Sequence, residues 1–221
     1  VQKYFAVGNG TTTGMETAST VDLTGATAAT VIICARHKTG SFGILIEQLS
    51  TAGWTIYSQI ATDTIGAQFN SSGGDFIQAK TAQLRAQEST YVIALVYEPG
   101  AATNDEKVAI SLNGTGIDET QTAVSGTVTT AGFINAKISL FARSLTDFPT
   151  TSGIHTAMVF KGKLTSGEFA KVNAWLQAKA GGYADVPSKW DDSRNTFTQS
   201  GPVVSCSPYA TASYTTKATR V

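Results

Sequence analysis

Few side chains in this sequence are of types that do acid–base or covalent chemistry, and their spacing argues against most reactions. The two histidines are His37, in the turn-like Arg36-His-Lys-Thr-Gly40, and His155, at the start of a strand-like run. Neither accompanies a Gly-x-Ser-x-Gly nucleophile turn. Ser and Thr are so abundant that one near either imidazole carries no signal of a nucleophile–base pair. Cys34 sits in the apolar run Thr30-Val-Ile-Ile-Cys-Ala35 and Cys206 in Val203-Val-Ser-Cys-Ser207. No second Cys or His stands at ligand spacing from either, so the chain has no zinc signature. Both read as buried thiols behaving as small hydrophobes, and their pairing is left open. Retaining glycoside hydrolysis needs two carboxylates about 5 Å apart. Asp118 and Glu119 are neighbours, which a strand points to opposite faces, while Glu47 and Glu98 stand alone and read as solvated surface acids. Gly8-Asn-Gly10 and Gly73-Gly74 lack a phosphate-loop Lys and read as turns. Asn9-Gly-Thr11, Asn70-Ser-Ser72 and Asn113-Gly-Thr115 match the N-glycosylation pattern, although the last is better explained as a hairpin turn.

The elements that would position any site are mostly strands. With 221 residues the chain can bury a real core; it is 42% hydrophobic and 14% charged, and sixteen basic residues balance sixteen acidic ones. That balance excludes the basic surplus needed to neutralise phosphates, and no basic cluster marks an anionic membrane. The longest apolar run, Tyr91–Tyr97, falls far short of the roughly 20 residues that span a bilayer. The opening Val1-Gln2-Lys3-Tyr4 has neither initiator Met nor apolar leader, as expected of a processed chain or one cut from a larger protein.

Strand signals recur at Val31–Arg36, Phe42–Gln48, Gly53–Ile60, Ala67–Asn70, Phe76–Ala79 and Thr90–Tyr97. In Gly53–Ile60, Trp54, Ile56 and Ser58 share one face, and Thr55, Tyr57 and Gln59 share the other. A loop, Glu98–Asp105, precedes Lys107–Leu112, where Val108, Ile110 and Leu112 alternate inward up to the hairpin signal Asn113-Gly114. Lys137–Arg143 and Gly153–Phe160 read as further strands. One helix stands out, Thr165–Ala180: Thr165 and Glu168 have capping-box spacing, Phe169, Val172 and Leu176 form one stripe, and Gly181-Gly182 stops it. It is expected on the rim of the sandwich. This is an all-β pattern, an antiparallel β-sandwich of jelly-roll type with one short helix at 165–180. Residues 1–182 form the sandwich and 183–221 a C-terminal extension, expected to supply edge strands or a docking arm. Its Trp190, Tyr209 and Tyr214 are the aromatics expected to anchor it on a partner.

The order Thr30–Arg36, Tyr91–Tyr97, Lys107–Gly114 and Ile154–Phe169 resembles the concanavalin A-like lectin/glucanase sandwich, in its laminin G-like, pentraxin-related branch, over roughly residues 20 to 182. Two site expectations follow from the resemblance. Relatives hold Ca²⁺ at the sandwich rim, and Asn104-Asp105-Glu106 with Asp75 could supply such oxygens, but a solvated loop is the reading preferred and no cofactor is expected. Sugar rings stack on aromatic faces, and Trp54 and Tyr57 stand at strand positions suited to it, on opposite faces, so one of the two belongs to the core. Trp175, off the helical stripe, is expected at the sandwich edge.

A lectin-like sandwich without paired acids, rich in Thr, Ala and Gly and low in charge, implies a non-catalytic structural or adhesion protein. The setting expected is a virion, as in a bacteriophage capsid-decoration, head-fibre or tail-associated protein. The alternative is a secreted carbohydrate-binding module of a larger bacterial protein. Expected partners are other virion proteins, copies of itself or a surface glycan, with no nucleic acid and no membrane insertion, in a virion or extracellular location.

Overall fold

A computed structural model describes residues 6–11, 14–36, 42–59, 64–71, 74–81, 90–116 and 119–180. In chain order the strands are β1 (Ala6–Val7), β2 (Met15–Glu16), β3 (Val21–Asp22), β4 (Ala29–Arg36), β5 (Gly43–Leu49), β6 (Gly53–Gln59), β7 (Thr64–Asn70), β8 (Phe76–Thr81) and β9 (Thr90–Tyr97). The one-turn helix α1 (Asn104–Lys107) follows, then β10 (Val108–Leu112), β11 (Thr115–Gly116), β12 (Glu119–Ser125), β13 (Asn135–Ala136), β14 (Ser139–Leu140), β15 (Gly153–Phe160) and helix α2 (Ser166–Ala180). All pairings among the described residues are antiparallel. A six-stranded sheet runs β1-β15-β4-β9-β10-β11, a seven-stranded sheet β12-β8-β7-β6-β5-β14-β2, and β13 pairs with β3 in a small third sheet. The all-β sandwich read from the sequence is the observed architecture.

Period-2 alternation builds the core between the two large sheets. Val31, Ile33 and Ala35 of β4 meet Ile93, Leu95 and Tyr97 of β9 on one side, and Trp54, Ile56, Phe69 and Ile77 face them from the other. Aromatic rings bridge the layers, with Tyr97 5.5 Å from Phe69 and 6.2 Å from Trp54, and Phe69 4.9 Å from Phe133. The polar tips of Tyr97 and Trp54 both find partners: Tyr97 OH donates to the Thr55 carbonyl at 3.2 Å and Trp54 Nε1 to Gln48 Oε1 at 3.3 Å. The Gln48 amide in turn donates to the Val21 and Ala136 carbonyls at 2.6 and 2.9 Å, which ties the β3–β13 sheet to β5.

β4 reads as continuously apolar because both of its faces are covered. Its outward Ile32 and Cys34, with Val92 and Ala94 of β9, form the floor on which α2 sets Phe169, Val172 and Leu176. The helix therefore lies on the outer face of the six-stranded sheet and not on the rim. An apolar stripe needs an apolar floor, and β4 and β9 supply the one built for it. The expected cap forms: Glu168 N donates to Thr165 Oγ1 at 3.3 Å, and Thr165 N to Glu168 Oε2 at 2.9 Å. Cys34 is buried beneath this helix, and Cys206 lies outside the described residues.

Asn113 and Gly114 adopt φ values of +52° and +82°, the left-handed pair that a two-residue hairpin demands. Asn113 also clasps β9: its N donates to the Val92 carbonyl at 2.8 Å and its Oδ1 accepts from Val92 N at 2.9 Å. Three expectations change. The loop Glu98–Asp105 ends in α1, which Thr103 and Glu106 cap with a box of their own. β12 is a polar edge strand with no hydrophobic alternation to announce it. Of the strand expected at Lys137–Arg143 only the two-residue β14 forms, ended by Phe141, whose φ of +68° turns its ring into the core, while β13 precedes it.

Candidate functional site

The same alternation that sends Trp54 and Ile56 inward sends a polar set to the opposite face of the seven-stranded sheet. Cross-strand register aligns Glu16 with Ser139, Ser139 with Glu47, Glu47 with Thr55, Thr55 with Gln68, and Gln68 with Gln78. A single polar row thus crosses the face from β2 to β8. Gln78 Nε2 donates to Gln68 Oε1 at 3.0 Å, and Gln68 Nε2 to Asn70 Oδ1 at 2.6 Å. Such amides have donors and acceptors to spare for a ligand's hydroxyls.

One end of the row is charged and aromatic. Glu47, 2% exposed, accepts from Arg143 Nε at 3.2 Å. Burial raises the pKa of Glu47, while the charge of Arg143 and its hydrogen bond pull it down. The Arg143 guanidinium also lies over the ring of Phe148, 5.3 Å from its centroid. Phe148 is 46% exposed and heads an aromatic run, edge-on to Phe42 at 5.2 Å, with Phe42 5.0 Å from Tyr57. The Tyr57 ring lies across Gly66, where a Cβ would come 2.2 Å from Cζ, so only glycine fits beneath it.

The segment carrying Arg143 and Phe148 is held in an unusual backbone. Phe141, Ser144, Leu145 and Phe148 have φ of +68°, +48°, +70° and +51°. Each such non-glycine residue costs about 1–3 kcal/mol and persists where surroundings over-determine it, which concentrates at binding sites. The clamps are visible: Arg143 and Asp147 exchange backbone hydrogen bonds at 2.7 and 2.8 Å, Ile44 N donates to the Phe148 carbonyl at 2.9 Å, and Thr150 N to that of Phe141 at 2.9 Å. On β6, Thr55 Oγ1, Tyr57 OH and Gln59 Oε1 are buried without a hydrogen-bond partner, a cost of about 1–3 kcal/mol apiece where nothing satisfies them.

The structure relocates most of the residues singled out from sequence. Trp54 and Tyr57 are both buried, so neither presents a free face to a sugar ring; Trp54 belongs to the inter-sheet core, and Phe42 packs against Tyr57. Asn104 and Asp105 form the first turn of α1, where Asn104 Oδ1 accepts from Lys107 Nζ at 3.4 Å. Asp75 Oδ2 instead accepts from Thr127 N at 3.0 Å. Among the described residues no three His, Cys, Asp or Glu side chains gather as metal ligands. Trp190, Tyr209 and Tyr214 lie outside the described residues, as does His37. His155 Nδ1 meets the Thr156 hydroxyl at 2.5 Å, on the other sheet from Glu47.

Glu47 is not the solvated acid its isolation in sequence implied. It shares a face with Glu16, but Ser139 stands between them, so two strand spacings, about 9–10 Å, separate their backbones. Glu16 faces Lys137 Nζ at 3.5 Å as Glu47 faces Arg143. Neither is arranged as one half of a close acid–nucleophile pair. Phe148, Arg143, Gln68 and Gln78 were missed because nothing local marks them; the one legible hint was the alternation that set Gln59 opposite Trp54 on β6.

No family model and no curated protein matches the sequence. Solved structures do match, and they share its fold, an antiparallel β-sandwich. The native heptameric SAP-like pentraxin from Limulus polyphemus is similar at 12% identity and TM-score 0.52, over 75% of this chain and 77% of that one. The Ruminococcus gnavus IT-sialidase CBM40 is similar at 12% identity and TM-score 0.51, over 77% of this chain and 98% of that one. The binding domain of botulinum neurotoxin DC in complex with SialylT is similar at 12% identity and TM-score 0.50, over 68% of this chain and 36% of that one.

Proposed function

We propose that this chain is a non-catalytic glycan-recognition domain, with its site on the polar face of the seven-stranded sheet. The observation that carries the reading is Phe148, exposed on a strained, clamped loop beside Arg143 at the end of the Glu47–Gln78 row. An apolar ring for a pyranose face beside a row of amides for its hydroxyls is the composition sugar recognition asks for. Among the similar structures, one is named as an IT-sialidase CBM40 and another as a neurotoxin binding domain in complex with SialylT, in keeping with this reading. No step of it requires a metal or a cofactor. A glycan array probed with the whole chain is expected to retain a defined subset of sugars. Phe148→Ala is expected to weaken that retention about tenfold while the melting temperature holds. An array with no retained glycan, or a variant binding like the parent, overturns the proposal.

The setting we propose is an extracellular or virion surface, as in a bacteriophage decoration, head-fibre or tail-associated protein. It rests on the low charge, the Thr/Ala/Gly-rich strands and the Tyr183–Val221 extension. Deleting Tyr183–Val221 is expected to abolish attachment to the particle and leave glycan binding intact; a truncated chain that still assembles counts against that setting.

A further inference from the structure

The sequence holds two Asn-Gly pairs, Asn9-Gly10 and Asn113-Gly114. Glycine after asparagine permits a reaction that other residues hinder. With no Cβ in the way, its main-chain nitrogen can reach the asparagine side-chain carbon, Cγ, and close a cyclic imide. The attack needs the two atoms brought together and aligned, so the surrounding fold decides which pair reacts.

Asn113 is held on three sides. Its N donates to the Val92 carbonyl at 2.8 Å, and its Oδ1 accepts from Val92 N at 2.9 Å. Its carbonyl accepts from Gln177 Nε2 of α2. Asn173, on the same helix, fills the space that a Cβ on Gly114 would need. Bringing Gly114 N to Cγ requires rotation about Asn113 Cα–C, which swings the carbonyl off Gln177, or about Cα–Cβ, which swings Oδ1 off Val92. Either rotation breaks a hydrogen bond.

Asn9 is exposed in the bend after β1, where Gly10 has a φ of +74°. Its Oδ1 accepts from Thr11 N at 3.0 Å. That donor belongs to the same bend and moves with it, aimed at the oxygen on which negative charge develops as Cγ is attacked. Both asparagines have such a donor, so activation does not separate them. Freedom to rotate does.

We infer that Asn9 is a site of spontaneous covalent modification, and that β9 and α2 protect Asn113 from the same chemistry. Gly10 N gives up its proton to solvent base and bonds to Asn9 Cγ; the Cγ–Nδ2 bond breaks and ammonia leaves. Water then opens the imide at either carbonyl, leaving aspartate or its β-linked isomer at position 9. Both products put a carboxylate where an amide stood. The β-linked product also routes the main chain through the former side-chain methylene and so lengthens it. It does so between Gly8, whose N donates to the Ser152 carbonyl at 3.3 Å, and Gly14, whose N donates to the Leu145 carbonyl at 2.7 Å. The change therefore falls between two anchors on or beside the Phe141–Thr150 segment.

The whole chain, kept folded at mildly alkaline pH and sampled over weeks, can be followed by peptide mapping with mass spectrometry. Modification at Asn9 is expected to run at least about tenfold faster than at Asn113, because a clamped site reacts only in the fraction of time it is open. In urea that unfolds the chain, the two rates are expected to converge to within about twofold. Asn9→Gln, whose longer side chain must close a larger and slower-forming ring, is expected to remove most of the acidic species that accumulates in the folded chain. Equal rates at the two sites in the folded chain, an Asn9 that reacts in urea but not when folded, or an acidic species undiminished in Asn9→Gln overturns the inference.

Discussion

Trp54→Ala is expected to lower the stability of the sandwich by about 3–5 kcal/mol, a large share of the 5–15 kcal/mol that holds a typical domain together. The indole is fully buried at the centre of the inter-sheet aromatic cluster, and no neighbour can collapse into the space it leaves without breaking the contacts of Tyr97 and Phe69. Its removal also strips Gln48 Oε1 of its donor, on the side chain that ties the β3–β13 sheet to β5. Urea denaturation should record the loss as a lower midpoint. Any loss of glycan binding in this variant should then track the unfolded fraction, whereas Phe148→Ala should lose binding with its midpoint unmoved. Retention of the parental midpoint would contradict the central place given to Trp54.

The second large effect is tied to pH. Burial holds the Glu47 pKa above its ordinary value despite the opposing charge and hydrogen bond of Arg143, and Asp147 adds a smaller upward push. A carboxyl whose pKa is higher folded than unfolded binds its proton more tightly in the native state. Its contribution to stability is complete below the unfolded value, near 4.3, and is lost as pH rises through the folded value. Arg143→Met removes the two largest influences that lower the pKa and leaves only the smaller one of Thr55, so Glu47 should titrate higher still and cost more when ionised. At neutral pH the expected destabilisation is about 2–3 kcal/mol, less than for a fully enclosed pair because Arg143 is a third exposed. Thermal melts of parent and variant should converge as pH falls toward 4.5 and diverge toward 7.5, and adding Glu47→Gln should flatten the difference. Parallel curves across that range would mean that Arg143 does not govern Glu47.

What could be read from the sequence was whatever is encoded along one strand or helix. Val108, Ile110 and Leu112 alternate inward as their spacing says, Asn113-Gly114 makes its turn, and Thr165 and Glu168 cap α2. Even the position of α2 was latent, since β4 is apolar at every position from Val31 to Ala35 and an uncovered outer face would not be. What stayed hidden is encoded across the chain. Glu47 acquires its meaning from Arg143, 96 residues on, and Tyr57 is buried by Phe42 and accommodated by Gly66 on another strand. Left-handed backbone at Phe141, Leu145 and Phe148 has no local signal either, because these residue types disfavour it and only the finished surroundings impose it.

The clamped segment from Phe141 to Thr150 has a consequence for how this surface can diversify. Its ends are pinned by main-chain groups, which do not depend on side-chain identity, while Ser144 to Phe148 between them are exposed. Residues 144–146 therefore form a replaceable cassette: new sequences grafted there, given glycine or asparagine where the backbone turns left-handed, should alter ligand preference without disturbing the layers beneath.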